Sequence, residues 1–324
     1  MNLNLKQLRF AVSLATQSSF TRAAAECCVT QPTLSNAIAQ LESELGERLF
    51  ARSTRKVALT PFGEHLMPYM TDVLRAQTTL EAAARNFLNP GKQLLRIGTS
   101  PLIRANLLSL MVEPFLAQHT RLDVVLREMN MTDLYRMLDE GLLDVLIGVA
   151  GNSRSGWQTT PLYREPLLFL PRGGTRAPVR RQTAVQFSDI ATETYVMVPD
   201  ACGLARTTRE LFRRHRRKLI EYSGEAMSYQ VLQEWASLGI GAAILPQSRL
   251  TANDRAAFPI VDRAGQPVTI GFEAVWPRSG AQPPHVAAFT RHLATVAPRI
   301  AAGLAAKVSK AGPQEFEGHR LESR

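Results

Sequence analysis

Side chains able to react are few in this sequence and poorly spaced for catalysis. Six histidines include no His-Glu-x-x-His pair and no Cys-x-x-Cys occurs, so no set of ligands for a metal is expected. Gly151-Asn152-Ser153-Arg154-Ser155-Gly156 misses the Gly-x-Ser-x-Gly nucleophile elbow by one residue and reads as a loop. Gly239-Ile240-Gly241-Ala242-Ala243-Ile244 lacks the third glycine of a dinucleotide fingerprint and runs into a strand rather than a helix. No catalytic residue and no cofactor is therefore expected. The chemistry on offer is recognition. Gln31, Thr33, Ser35 and Asn36 are small, uncharged hydrogen-bonding side chains suited to base edges. Arg52, Arg55 and Lys56 follow, in a stretch with no acidic residue between Glu47 and Glu64, and suit phosphates.

The elements that must hold these residues are legible. Leu34, Ala37, Ile38, Leu41 and Leu45 form one apolar stripe, so a helix starts near Thr30, a good N-cap, with Pro32 in its first turn and Gly46 as its stop. Pro32, Asn36, Ala39 and Ser43 then face the other way. Upstream, Thr21 can cap a short helix containing Ala23, Ala24 and Ala25, and Cys27-Cys28-Val29 leaves only a tight turn between the two. Leu5, Leu8, Val12 and Ala15 give a bracing helix capped by Asn4. This is helix-turn-helix grammar, and a basic hairpin after it would be a wing. A helical hairpin packed in a core would show the same two stripes; the basic hairpin shifts the weight to DNA.

The run Ser35-x-x-Ile38-x-x-Leu41-Glu42-x-x-Leu45-Gly46-x-x-Leu49-Phe50-x-Arg52, followed by Leu59-Thr60-x-x-Gly63, resembles the N-terminal signature of the LysR-type transcriptional regulators. The resemblance covers nearly all of the chain and is weakest after about residue 303. It implies an α+β multidomain protein: a winged helix-turn-helix over residues 1–60, a linker and dimerisation helix over 61–91, and a two-lobed α/β, periplasmic-binding-protein-like effector domain over 92–304. Lobe I would take residues 92–161 and 268–304, lobe II residues 162–267, with 305–324 a disordered tail. Thr30, Gln31, Pro32, Thr33, Ser35 and Asn36 are expected at the major groove of double-stranded operator DNA, and Arg22, Arg52, Arg55 and Lys56 on phosphate. Many relatives carry arginine in place of Asn36; asparagine favours adenine.

Charge and composition fit this reading without proving it. The chain has 324 residues, 45% hydrophobic and 20% charged, with room for two or three domains, and its net charge of +10 favours an anionic partner. Residues 1–91 hold nine Lys or Arg and seven Asp or Glu, so the positive charge of the DNA-binding part is local. The N-terminus lacks the apolar core of a signal peptide and no run reaches a membrane span, which points to the cytoplasm and to no membrane partner. Three cysteines, two adjacent, are not a disulfide framework.

Along the linker, Leu66, Met70, Val73, Gln77, Leu80, Ala84 and Phe87 form a seam suited to a homodimer, with a bend at Pro68; the resemblance adds a tetramer. Beyond the hinge at Asn89-Pro90-Gly91, strands and helices alternate, implying parallel sheets covered on both faces and a ligand beyond the carboxyl ends of the strands. Thr99, Ser100 and Leu102 stand where the first strand gives way to a helix expected to start at Ser100-Pro101, a place suited to a carboxylate effector, although Ser100 and Thr132 equally serve as helix caps. The resemblance adds Asn130, Met131, Asp200, Cys202, Gly203 and Met227 to that cleft. Cys202 is placed like the reactive cysteine of peroxide-sensing family members, yet no second cysteine in this domain could resolve it, so it reads as pocket lining. Arg206 to Lys218 carries seven basic residues and one acidic one, a solvated helix face or a contact with bent DNA or an acidic effector. The rival class is a two-lobed solute-binding protein or enzyme with a helical appendage.

Overall fold

The computed structural model describes residues 3–52, 57–88, 93–151, 156–173, 184–199, 201–250, 257–278 and 282–310. Two compact units result, one built on the first 92 residues together with Arg136–Leu143, the other on Gln93–Tyr135 and the chain from Asp144.

In the first unit α1 (Leu5–Gln17) is capped by Asn4, whose side chain accepts the Lys6 N–H at 2.9 Å while Gln7 reaches back to the Asn4 N–H. Ser18 ends it in the left-handed region, φ 49°, and Ser19 at once caps α2 (Phe20–Glu26). The cap of α2 is thus Ser19 rather than Thr21, because the sharp turn at Ser18 leaves no linker to spend. Cys28, φ 54°, makes the turn into α3 (Gln31–Leu45), which Thr30 caps and Gly46, φ 83°, ends. The strands β1 (Phe50–Arg52) and β2 (Val57–Leu59) pair antiparallel, Phe50 opposite Leu59. Then α4 (Pro61–Leu88) runs unbroken through Pro68.

Leu14, Leu34, Ile38, Leu41 and Leu49 are wholly buried in one core, and each such side chain is worth about 1.5–3 kcal/mol. The seam read along α4 divides. Met70 packs into this core with Leu74, a residue outside the seam, whereas Val73 and Leu80 stay 45% and 71% exposed. The side chain of Phe87 lies outside the described residues.

The second unit begins with β3 (Gln93–Thr99), α5 (Ala105–Leu116), β4 (Leu122–Glu128), α6 (Met131–Asp139) and β5 (Val145–Val149). Here β3 lies parallel between β4 and β5. The chain continues through β6 (Trp157–Leu170), β7 (Val185–Gln186), α7 (Phe187–Ile190), β8 (Thr194–Met197), α8 (Gly203–Arg214), β9 (Ile220–Glu225), α9 (Tyr229–Ser237) and β10 (Ala243–Pro246). A 3-10 turn at Gln247–Arg249 leads to β11 (Phe258–Val261), β12 (Thr269–Pro277) and α10 (Pro284–Lys310).

The long β6 spans both halves: Trp157–Pro166 pairs with β12, and Leu167–Leu170 with β10 and β11. Because β12 runs antiparallel to β5 and β6, the sheet is mixed, not parallel throughout as the alternation suggested. The expected helix at Ser100 starts instead at Ala105. Ser100 gives its N–H to the Ile147 carbonyl at 3.0 Å and its own carbonyl accepts from Ile103 at 2.9 Å, which closes a turn before the helix. At the other end α10 continues to Lys310, past the expected boundary at residue 304, and residues 311–324 lie outside the described ones. Among the described residues no helix is long and apolar enough to cross a membrane.

Candidate nucleic-acid interface and ligand cleft

The recognition candidates fall on one side of α3. Gln31, Pro32, Thr33, Asn36, Ala39, Gln40 and Ser43 are exposed and Ser35 is half-buried, while Leu34, Ile38 and Leu41 are fully buried opposite them. Thr30 Oγ1 accepts the Thr33 N–H at 3.3 Å and lies 2.8 Å from the Thr33 hydroxyl, so both side chains are oriented at the helix start. The Thr21 hydroxyl donates to Gln31 Oε1 at 3.3 Å and aims that amide. Arg22 is exposed, and its guanidinium donates to the Gln17 carbonyl. Arg52 ends β1 opposite Val57, but its side chain, with Arg55 and Lys56, lies outside the described residues.

A residue read only as part of a signature proves to fix this geometry. Glu42 is 8% exposed on the inner face of α3, and its Oε1 accepts the backbone N–H of Leu49 at 2.9 Å and of Phe50 at 3.1 Å. The hairpin is thereby fastened to the recognition helix. Its far end is fastened too. Thr60 Oγ1 donates to the Arg48 carbonyl at 2.6 Å and accepts the Gly63 N–H at 3.0 Å, capping α4. A Cβ on Gly63 would stand 2.2 Å from the Leu49 carbonyl oxygen, so only glycine lets α4 come this close. The spacing Leu-Thr-x-x-Gly is the imprint of that approach.

Cys27, half-buried in the turn, has its thiol pushed up by burial, which keeps it protonated and inert. Nothing in its setting makes it a reactive group.

In the second unit the cleft candidates gather at the carboxyl ends of β3, β4 and β5, where open α/β sheets hold ligands. Thr99, Ser100, Leu102 and Met131 are buried there, with Asn130 and Cys202 half-buried. The Met131 N–H donates to the Ala201 carbonyl at 3.0 Å, bringing the two halves together, and Gly203 has Val149 where its Cβ would be, at 2.7 Å. Several side chains are already engaged. Ser100 Oγ accepts the Leu102 N–H at 3.3 Å, and Asn130 caps α6 through Asp133, accepting its N–H at 3.0 Å. Met227 is 81% exposed and does not join the buried group, because Ser228 caps α9 and leaves Met227 outside. Asp200 lies outside the described residues.

The Cys202 thiol is pushed up by burial, an effect the neighbouring Tyr229 phenol only partly offsets. It is a neutral thiol at ordinary pH, not a poised thiolate. On α8 the basic run is a solvated face over buried Leu211 and Phe212, with Arg209 paired to Glu221 of β9 at 2.8 Å. Among the described residues no three His, Cys, Asp or Glu side chains group to hold a metal.

A three-helix unit that presents a polar helix face beside a short hairpin, followed by a two-part α/β unit with a cleft, defines the class of ligand-responsive winged-helix DNA-binding proteins. Residues 5–64 match the model of the bacterial regulatory helix-turn-helix protein, lysR family, and residues 89–298 that of the LysR substrate binding domain. The chain belongs to the LysR family and is a DNA-binding transcriptional regulator with an effector-binding domain. It is 30% identical over 305 residues to the uncharacterized HTH-type transcriptional regulator YnfL of Escherichia coli, covering 90% of this chain and 98% of that one. It is 32% identical over 198 residues to the dual regulator OxyR of Escherichia coli, 61% of this chain and 64% of that protein. The full-length CbnR structure complexed with its target DNA has the same fold, with a TM-score of 0.52 at 20% identity, over 91% of this chain and all (100%) of that one.

Proposed function

We propose that the protein reads operator DNA through the outer face of α3 and adjusts that binding to a small organic effector held between the two halves of its second unit. Gln31, Pro32, Thr33, Ser35 and Asn36 face base edges in the major groove. Arg22 and the basic residues Arg52, Arg55 and Lys56 neutralise phosphate. The observation that carries this reading is the small, uncharged, hydrogen-bonding face of α3, exposed beside a hairpin that Glu42 and Thr60 hold in place. A charged outer face would suit plain solvation; this one suits a groove.

Two copies joined along the exposed stripe of α4, at Val73 and Leu80, would present two recognition helices to paired half-sites. CbnR, a full-length chain of this fold seen in complex with its target DNA, supports the DNA half of the reading. For the cleft, Thr99, Ser100, Leu102, Asn130, Met131, Cys202 and Gly203 are the proposed lining, with Asp200 beside them; Met227 no longer belongs. The reading involves no catalytic step, and its setting is the cytoplasm, where the DNA is.

The peroxide-responsive naming of some relatives does not transfer well. Cys202 is the one cysteine of its unit in the sequence and its thiol is held neutral. Peroxide-dependent DNA binding that disappears in Cys202→Ser would reverse this judgement. The main test is gel retardation with DNA upstream of the protein's own coding region against unrelated DNA of equal length. Preference for the upstream fragment is expected, and equal binding to both would remove the claim of sequence reading. A thermal-shift screen of small carboxylates and amino acids on the full chain then identifies the effector.

A further inference from the structure

The largest described cavity of the second unit, about 570 Å³, is not the cleft. It opens between the start of α5, the middle of β6, the 3-10 turn at Gln247–Arg249, the β11–β12 connection and the end of α10. None of the cleft residues lines it. Its volume is in the range of sites for small organic ligands, and its composition is of the same kind: apolar walls with a few convergent polar groups. Leu107, Leu250 and Leu304 supply the apolar wall.

The polar groups have a definite sign. Glu165 is buried in the lining with 2% exposure, and both of its oxygens are taken up by Ser248: Oε2 accepts the N–H at 2.6 Å and Oε1 the hydroxyl at 2.9 Å. Arg104 donates from Nη1 to the Ser248 carbonyl at 2.9 Å. The carboxylate is therefore consumed in fixing the wall and has little left to offer a cation. The guanidinium groups are not consumed. Arg104 uses one N–H in that bond, and Arg164 donates from Nε to Thr269 Oγ1 at 2.9 Å and from Nη2 to the Thr269 carbonyl at 3.4 Å, leaving Nη1. Both arginines are exposed at the cavity, and each is held at one edge by a neutral oxygen with its charge unopposed by an ion pair among the described residues. The first N–H groups of α5 have no side-chain cap and lie beside Arg104, adding positive potential at the same place.

From this arrangement we infer that the cavity is a second ligand site, separate from the cleft, for a monocarboxylate with an apolar tail or ring. The carboxylate lies against Arg104 and Arg164, and the apolar body against Leu107, Leu250 and Leu304. Recognition of a carboxylate by a partly pre-fixed guanidinium is charge-assisted and directional, and the apolar wall selects against small inorganic anions. Because the wall joins α5, β6 and α10, an occupant would tie together segments from both ends of the unit.

The test uses the full-length protein with octanoate and 3-phenylpropionate as probes, and 1-octanol and octylammonium as controls, by isothermal titration calorimetry. Two variants accompany the wild type. Arg104→Gln with Arg164→Gln removes the charge from exposed positions, and Ala301→Trp fills the cavity; far-UV circular dichroism checks that each is folded. The expected result is binding of a carboxylate probe, with the alcohol and the amine at least tenfold weaker and about tenfold loss in the double variant, as fits one charge-assisted contact. If Ala301→Trp proves unfolded, Leu304→Trp at the half-buried rim replaces it. Three results would overturn the inference: neither carboxylate binds the wild type, the alcohol binds as well as the acid, or the variants bind the acid as the wild type does. The last would mean the probe occupies the cleft or another surface.

Discussion

Glu42 points away from DNA and still decides how DNA is met, because its carboxylate is the acceptor for two backbone N–H groups of the hairpin. Removing it strands both in the core, at about 1–3 kcal/mol for each buried donor left without a partner. Glu42→Ala should therefore lower stability towards urea by that order and speed amide exchange at Leu49 and Phe50, while Glu42→Gln, which keeps one acceptor oxygen, recovers part of the loss. Unchanged exchange at both amides would show that the side chain does not hold the hairpin. Glu165 gives a pH signature of the opposite kind from most carboxylates. Burial raises its pKa above the ordinary 4.5, ahead of the lowering effects of Ser248 and Arg249. A carboxyl raised on folding contributes stability that is complete below its unfolded value and is lost as pH rises through the raised one. Glu165→Gln does not titrate. Its melting temperature should gain on the wild type as pH rises from about 4 towards 8, and a difference that stays flat across that window would contradict the assignment.

At the scale of elements, α4 has two faces with different duties. Met70 and Leu74 belong to the core of the first unit, whereas Val73 and Leu80 are exposed and free to meet a second copy. Val73→Asp with Leu80→Asp should leave the monomer folded and weaken self-association at least about tenfold in sedimentation experiments; an unchanged oligomer would place the interface elsewhere. The sequence showed the stripe of α4 but not where it changes partner, because a helix pattern records burial without recording against what. The same limit explains the other differences. Thr30, Gly46 and the alternation of Leu34, Ile38 and Leu41 speak locally, so α3 was legible from end to end. Ser100-Pro101 carries a helix-start signal as good as that of Thr30, yet the N–H of Ser100 is claimed by Ile147, nearly fifty residues away, and the helix waits until Ala105. The strands β7 and β11, two and four residues long, are too short to show a period. The polar face of α3 was visible as a site because its chemistry is contiguous. The cavity between Arg104, Arg164 and Leu304 was not, because its lining comes from five separated segments.

For the molecule as a whole, a ligand changes DNA binding only to the extent that it binds the DNA-bound and free arrangements with different affinity, and the coupling is reciprocal. An effector found by thermal shift should therefore bind with altered affinity when operator DNA is present, by the same factor by which it alters operator affinity; unequal factors would mean that it has not been measured at equilibrium. All of this depends on α3 reading bases. The most direct check is competition between operator and unrelated DNA for the wild type and for Ser35→Ala with Asn36→Ala, at one fixed salt concentration. The account predicts that the double variant loses its preference for the operator by roughly 1–3 kcal/mol for each base contact removed while its affinity for unrelated DNA is unchanged. A double variant that keeps the full preference would contradict it.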